Sequence, residues 1–306
     1  MRVLITGATG TIGLSLADTL HARGDQVVAL SRDPERGQRV LGAAAEVHAW
    51  PDPTGSAPPT AALENVNAVV HLLGEPVAQR WTSEARVRIR ESRVLGTRML
   101  VDALRGLPDG SRPEVLISQS ATGYYGPRGD APLDEHASAG DDFLAEVTAA
   151  WEHEARAAAS VMRVACTRTG VVLASSGGAL TKMLPFFKLG LGGPVAGGDQ
   201  YVPWVHLDDV VGALIRCVDA ADAEGPVNVT APNPVTNAEL SRALGRALGR
   251  HAVLPVPGFA VKLLYGEMAE IVTTGQRVVP ARLRQLGYEF RHPDLEPALR
   301  DVLSGS

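Results

Sequence analysis

Two stretches of the 306-residue chain carry residue types at spacings suited to chemistry. The first is Gly7-Ala8-Thr9-Gly10-Thr11-Ile12-Gly13, which follows the apolar run Val3-Leu4-Ile5. A side chain at Gly7 would crowd a tight turn, one at Gly10 would hold the backbone away from a pyrophosphate, and one at Gly13 would wedge the next helix off its sheet. Thr9, Thr11 and Ile12 lie between these glycines, where the free N–H groups of a helix N-terminus face an anion. A strand precedes the glycines, and Ile12, Leu16 and Leu20 recur at helical spacing after them, which is the context of a dinucleotide grip. The second stretch is Gln119-Ser120-Ala121-Thr122-Gly123-Tyr124-Tyr125-Gly126, a run of hydroxyls after another apolar strand. Tyr124 and Tyr125, supported by Ser120 or Thr122, are candidates to move a proton to or from a substrate oxygen. A free tyrosine ionises near pH 10 and needs a nearby cation or another perturbation to act as a base at neutral pH.

The residues that would select the cofactor follow the second apolar run, Gln26 to Ser31. An arginine at this point pairs with a 2′-phosphate and an acid binds a free 2′-hydroxyl. Ser31 and Arg32 come first and favour NADP over NAD. Asp33 is the rival, one register step away. Asn67 to Leu73 is a buried-strand signal, and its end brings Leu72, Leu73, Gly74 and Glu75 beside an adenosine ribose. His71, inside that strand, reads as a core histidine. Glu75 and Glu146 are carboxylate alternatives for acid–base work, and His206 reads as a packing or capping residue. Lys262, Glu267 and Glu270 lack metal-ligand spacing, and no metal is expected.

The elements that must hold these groups alternate. A helix is expected from Thr11 to about Arg23, stopped by Gly24, and a third strand over Val47 to Trp50. Trp81 to Arg105 has one apolar helical face, Glu114 to Ser118 is a strand, 142 to 160 a helix, and Val161 to Thr169 a strand. Strand and helix at this spacing predict an α/β fold, a Rossmann-type doubly wound parallel sheet with right-handed crossovers. Residues 1–175 would form the dinucleotide-binding domain, with 200–232 returning to it. Residues 176–199 and 233–306 would form a smaller C-terminal lobe on the substrate side. Within that lobe, Gly177 to Gly198 is glycine-rich around Met183, Leu184, Pro185, Phe186 and Phe187, the composition of a substrate wall or lid and equally of a helix with a surface loop. Thr236 to Glu239 has capping-box spacing.

Composition bounds the rest. Hydrophobic residues make up 45% of the chain and the net charge is -5, so the chain as a whole offers no basic surface to nucleic acid or anionic lipid, a local patch aside. Lysine occurs only at 182, 188 and 262; every other basic residue is arginine. Cys166 and Cys217 lie far apart in apolar runs and read as buried thiols. The chain opens on a core strand and holds no apolar run near the ~18 residues of a membrane span. The expectation is a cytoplasmic monomer or homodimer acting on a small molecule.

Together, Gly7-x-x-Gly10-x-x-Gly13, the strand ending at Gly74, the string ending Tyr125-Gly126, and Trp204-Val205-His206-Leu207-Asp208-Asp209-Val210 resemble the extended short-chain dehydrogenase/reductases. Gly74-Glu75, Gly123-Tyr124-Tyr125, Trp151-Glu152, Leu189-Gly190-Leu191-Gly192-Gly193-Pro194 and Thr236-Asn237-Ala238-Glu239 are similar to its atypical epimerase-like branch, usually labelled sugar-nucleotide epimerase or cell-division-inhibitor homologues. The resemblance spans the whole chain. It implies NADP contacts at Gly7, Gly10, Thr11, Ile12, Gly13, Ser31, Arg32, Leu72, Leu73, Arg98 and Val172. Arg98 lies where such folds return a long helix across the cleft. The chain departs from the family at the Tyr-x-x-x-Lys pair, which normally sits on the helix after the hydroxyl string. Helix 142 to 160 holds neither tyrosine nor lysine, and no tyrosine in the chain has a lysine four residues on. The resemblance therefore implies an NADP-dependent oxidoreductase or epimerase-like protein with a different acid–base group, or a catalytically silent NADP-binding sensor or interaction protein.

Overall fold

The computed structural model describes residues 1–252 and 254–304. In chain order its elements are β1 (Arg2–Thr6), α1 (Thr11–Ala22), β2 (Gln26–Ser31), α2 (Pro34–Leu41), β3 (Ala45–Ala49), β4 (Ala68–His71), α3 (Ser83–Gly106), β5 (Val115–Ala121), β6 (Pro132–Leu133), α4 (Phe143–Arg156) and β7 (Arg163–Thr169). There follow β8 (Val171–Leu173), α5 (Gly178–Lys188), β9 (Tyr201–Val202), β10 (Trp204–His206), α6 (Leu207–Asp219), β11 (Gly225–Val229), β12 (Val235–Thr236) and α7 (Asn237–Ala247). The chain closes with α8 (Gly258–Tyr265), α9 (Glu270–Thr273), β13 (Arg277–Val278), α10 (Ala281–Gln285) and α11 (Leu295–Ser304).

Seven strands form one parallel sheet in the order β11-β7-β5-β4-β1-β2-β3. Chain order reverses at β1, which pairs with β2 on one side and β4 on the other. Ligands of open α/β sheets bind outside the strand C-termini at such a reversal. From Val3 to Thr6, β1 is buried because its side chains alternate between two cores. Val3 and Ile5 join α1 and α6 on one face, and Leu4 joins the apolar stripe Leu100, Val101 and Leu104 of α3 on the other. A third core gathers Leu180, Leu184 and Phe187 of α5, Trp204, Leu240 and Leu244 of α7, and Leu295 to Val302 of α11.

Most boundaries fall within two residues of expectation. β5 is the informative exception: it runs on through Ser120 to Ala121, because Ser120 pairs with Arg168 and Ala121 with Thr169 in the β7 ladder. The hydroxyl string is therefore half strand and half tight turn, Thr122–Tyr125. The third strand begins two residues earlier than expected, at Ala45, where it pairs with Val27. The segment 177–198 is a helix, α5, followed by a loop.

Candidate functional site

Gly7 adopts φ +68°, and a Cβ there would stand 2.7 Å from the carbonyl oxygen of Leu72 at the end of β4. Gly13 is equally constrained, since a Cβ would enter the backbone of Gly7 and Ala8. Gly10 differs: its Cβ would meet only the Gly7 oxygen, at 3.3 Å, and the residue is exposed as the N-cap of α1. Two of the three glycines thus close the β1–α1 turn on itself, and the third leaves a bare backbone facing outward. Thr9 is exposed on the same turn, and Ile12 packs on the adjoining core. Thr11 Oγ1 donates to the Ser176 carbonyl at 3.4 Å, so the chain entering α5 passes over this helix start.

At the end of β2 the side chains separate clearly. Asp33 is the N-cap of α2, its carboxylate accepting the Arg36 N–H at 3.0 Å. Ser31 Oγ donates to the Asp33 carbonyl at 2.8 Å. Arg32 is exposed and makes no hydrogen bond or ion pair among the described residues. The acid that would read a 2′-hydroxyl is committed to its helix, and the arginine stands open.

At the end of β4, the Leu72 N–H reaches Thr6 Oγ1 at 3.1 Å, and the Leu73 side chain fills the space left by Gly96 of α3. Arg93 of α3 donates to the Glu75 carbonyl at 3.0 Å and lies against Gly74. Burial lowers the Arg93 pKa to about 10, which leaves it charged at neutral pH. Glu75 accepts from Gln79 Nε2 at 3.1 Å. Arg98, for which the resemblance implies a cofactor contact, holds Glu154 of α4 with both ends of its fork, at 3.0 and 2.6 Å. The arginine of this helix that reaches the strand-end turn is Arg93, which sequence reading missed. Val172 lies on β8, paired with Val205 of β10.

The hydroxyl string meets a buried ion pair that sequence reading also missed. Arg168 of β7 and Glu152 of α4, both 2% exposed, bond through Nε to Oε1 at 2.7 Å and Nη2 to Oε2 at 2.9 Å. Ser120 donates to Glu152 Oε1 at 2.7 Å. Tyr125 donates to Asn228 Oδ1 at 2.6 Å and accepts from Arg168 Nη1 at 3.0 Å. Burial, only partly offset by Arg168, raises the Tyr125 pKa to about 12. Ser120 and Tyr125 are thus fixed inside a satisfied network. Thr122 is buried, and Tyr124 is half-buried with the Arg168 guanidinium 3.5 Å above its ring. The face of α4 turned to this string carries Leu144 and Thr148, one helical turn apart; a Cβ on Gly123 would meet them at 3.3 and 3.8 Å. Thr148 Oγ1 donates back to the Leu144 carbonyl. An aliphatic group and a satisfied hydroxyl stand there, with no titratable group on either.

Among the described residues, one group has a metal-ligand composition: His206, His292 and Asp301, whose ligand atoms lie within 4.8 Å of one another. His206 Nδ1 accepts the Asp208 N–H at 3.1 Å, capping α6, so the proton of the neutral ring sits on Nε2, 3.2 Å from Asp301. Burial, aided by the stacked His292, lowers the His206 pKa and keeps the ring neutral. A ligating histidine donates from its second nitrogen; this one accepts there, and its Nε2 is protonated. The group docks α11 against α6.

A seven-stranded parallel sheet reversing at β1, with a glycine turn at the reversal and a hydroxyl string at the end of β5, defines an extended short-chain dehydrogenase-like nucleotide fold. The chain belongs to the NAD dependent epimerase/dehydratase family, which it matches over residues 3–230; residues 256–302 match a domain of unknown function, DUF1731. It is 36% identical to the Homo sapiens epimerase family protein SDR39U1 over 99% of this chain and 100% of that one. It is 38% identical to the chloroplastic SDR39U1 homologue of Arabidopsis thaliana, over 99% of this chain and 87% of that one. The crystal structure of human SDR39U1 (isoform2) with NADPH superposes with a TM-score of 0.89 at 34% identity, each chain covered completely. The UDP-glucuronic acid 4-epimerase of Bacillus cereus shares the fold, with a TM-score of 0.79 at 15% identity. No helix among the described residues is long and apolar enough to cross a membrane.

Proposed function

We propose that this protein binds NADP(H) along the β1–α1 turn and is an oxidoreductase or epimerase-like enzyme whose proton-transfer group is Tyr124. The observation that carries the cofactor preference is the division at the end of β2: Asp33 caps α2 and Arg32 stands unpaired, free to meet a 2′-phosphate. Crystallisation of the 36% identical human relative's protein with NADPH supports the same reading. Gly7, Gly10 and Gly13 would bring backbone N–H groups to the pyrophosphate, and Leu72, Leu73 and Gly74 would flank the adenosine side.

NADPH supplies a hydride when bound. With the hydride on a substrate carbonyl carbon, the chain would have to deliver a proton to the resulting alkoxide oxygen. Ser120 and Tyr125 are held inside the Glu152–Arg168 network, and α4 offers Leu144 and Thr148 at its facing turn. Tyr124 is the half-buried acid of the string, oriented by the Arg168 cation over its ring. The Leu144–Thr148 turn also favours a second reading, a binder of NADP(H) that performs no turnover.

Titration with NADPH and NADH, followed by fluorescence, tests the first step. Arg32→Ala should weaken NADPH at least tenfold and leave NADH unchanged; equal effects on both would remove Arg32 from phosphate recognition. A panel of carbonyl substrates then tests the second. Tyr124→Phe should abolish NADPH oxidation with cofactor affinity intact, unchanged turnover would take Tyr124 out of the mechanism, and binding without turnover by the wild-type protein would establish the silent reading.

A further inference from the structure

Apart from Met1, Val40 and Val87, the exposed large apolar side chains among the described residues lie in one part of the molecule, and they form a circuit. On α5, Leu180, Leu184 and Phe187 are buried while Phe186 is half-exposed; Leu189 and Leu191 follow in the open. Residues 194–196 run beside Val256, with hydrogen bonds from Val256 N to Pro194 O and from Ala196 N to Val256 O. That pairing sets Leu254 next to Gly193. α8 follows, an apolar helix in which Val261 is the buried residue and Phe259 and Leu263, one turn apart, are each 77% exposed. Its end at Gly266 abuts Arg80, and Lys182 of α5 donates to the Ala78 carbonyl, which closes the circuit. The Arg86–Glu267 ion pair, 3.1 Å, holds the same junction. The circuit begins at the cofactor turn, since Gly177, one residue before α5, lies against Thr11.

The charges of this rim differ from those of the rest of the chain. All three lysines, Lys182, Lys188 and Lys262, fall on it and are exposed. Residues 177–198 and 254–266 contain no Asp or Glu, although the protein carries a net charge of -5. Lys188 and Lys262 have no ion-pair partner among the described residues, and neither have several arginines elsewhere, Arg32 among them; what sets the rim apart is its lack of acids. A lysine stem covers apolar surface while its ammonium stays in water.

We propose that this rim is the entrance for a substrate with a hydrocarbon body and an anionic head, a long-chain carboxylate or phosphate ester. The assignment names the substrate class of the proposed function and rests on it. The hydrocarbon lies against Phe186, Leu189, Phe259 and Leu263, and the head pairs with a rim lysine. A sugar nucleotide would set its hydroxyls against aliphatic side chains, which offer them no partners. A second copy of the chain meeting this face by two-fold symmetry would oppose lysine to lysine, with no acid in either stretch to relieve it.

Calorimetric titration of dodecyl phosphate, below its micelle concentration, into the NADPH-treated full chain tests the assignment. Saturable 1:1 binding is expected. The exposed double variant Phe259→Ser/Leu263→Ser should weaken it at least tenfold, and Lys188→Gln/Lys262→Gln should weaken dodecyl phosphate but not 1-dodecanol. No saturable binding, or binding that neither double variant alters, overturns the assignment. UDP-glucose that displaces dodecyl phosphate and binds the Phe259→Ser/Leu263→Ser variant normally also overturns it. Sedimentation with phosphatidylglycerol vesicles without monomer binding would make the rim a bilayer surface instead. A dimer in light scattering that the Ser variants dissolve would make it a self-contact. NADPH affinity is measured separately, so loss of the cofactor reading is distinguishable from loss of this one.

Discussion

His71 shows how one buried residue can couple folding to pH. It lies in the central strand β4 with no exposure, its Nδ1 2.7 Å from Thr6 Oγ1 and its Nε2 2.9 Å from Thr97 Oγ1. Burial lowers its pKa to about 3, so the folded protein keeps the ring neutral where an unfolded chain would protonate it near pH 6.5. The contribution is complete above pH 6.5 and is lost as pH falls from there toward 3. Between pH 7 and pH 5 the loss should be about 2 kcal/mol. Urea unfolding at the two pH values should show this drop in the wild-type protein and a smaller one in His71→Gln; parallel drops would refute the coupling. The sequence suggested a core histidine because it lay inside an apolar strand. It did not disclose the two threonines, which come from β1 and α3. The Glu152–Arg168 pair was hidden for the same reason: the two residues face each other only after β7 has paired with β5 and α4 has packed over both. Arg93 and Arg98 show a finer limit. They differ by five positions, about 140° round a helix, so a helix that returns across the cleft does not itself reveal which arginine faces it.

At the level of elements, the β1–α1 corner was legible because everything it needs is local. An apolar strand, a turn and a helix start occupy thirteen consecutive residues, and each glycine has its own steric reason. The structure divides those reasons into two kinds. Gly13 is needed by the fold, since any Cβ would collide with the backbone of Gly7 and Ala8. Gly10 is not demanded by the fold in this way, since its Cβ would meet a single oxygen at 3.3 Å; the need proposed for it is a ligand's. Gly13→Ala should therefore destabilise the protein by about 1–3 kcal/mol, the usual cost of forcing an extra carbon into packed structure. Gly10→Ala should melt within about 1 °C of the wild type, a shift of about 0.6 kcal/mol for a chain of this size, yet bind NADPH at least tenfold more weakly. Melting curves and cofactor titrations on the two variants separate the roles; equal melting temperatures or unimpaired binding by Gly10→Ala would show the division to be wrong. Less local elements were read less well. α8 was visible as an apolar stretch, but an apolar stretch ordinarily goes inside, and only the packed structure reveals that most of it does not.

At the scale of the whole molecule, the C-terminal part is joined to the nucleotide fold through several cores, Val278 packing with Tyr125 and Leu133 in a small one. Leu283 and Leu286 of the α10 region pack with α6 beneath the sheet, while Leu295 to Val302 of α11 complete the core of α5 and α7. Buried apolar residues of the segment matching DUF1731 are thus split among three cores built mainly by other residues. One carboxylate fixes the split. Asp209, 1% exposed in the first turn of α6, accepts from Tyr288 Oη at 2.9 Å, Arg291 N at 2.8 Å and His292 N at 2.9 Å. The last two donors are backbone groups of the turn leading into α11, and they have no replacement if the carboxylate is removed. Asp209→Ala should cost about 2–4 kcal/mol, the range for leaving charge-assisted buried bonds unmade. Because β1, β4 and β5 do not depend on this carboxylate, the damage should be local. Hydrogen exchange should accelerate across residues 288–304 and leave the central strands protected. Uniform acceleration over the whole chain would mean that the C-terminal part and the nucleotide fold open as one unit, and unchanged exchange near residue 290 would mean that core packing alone holds α11 in place.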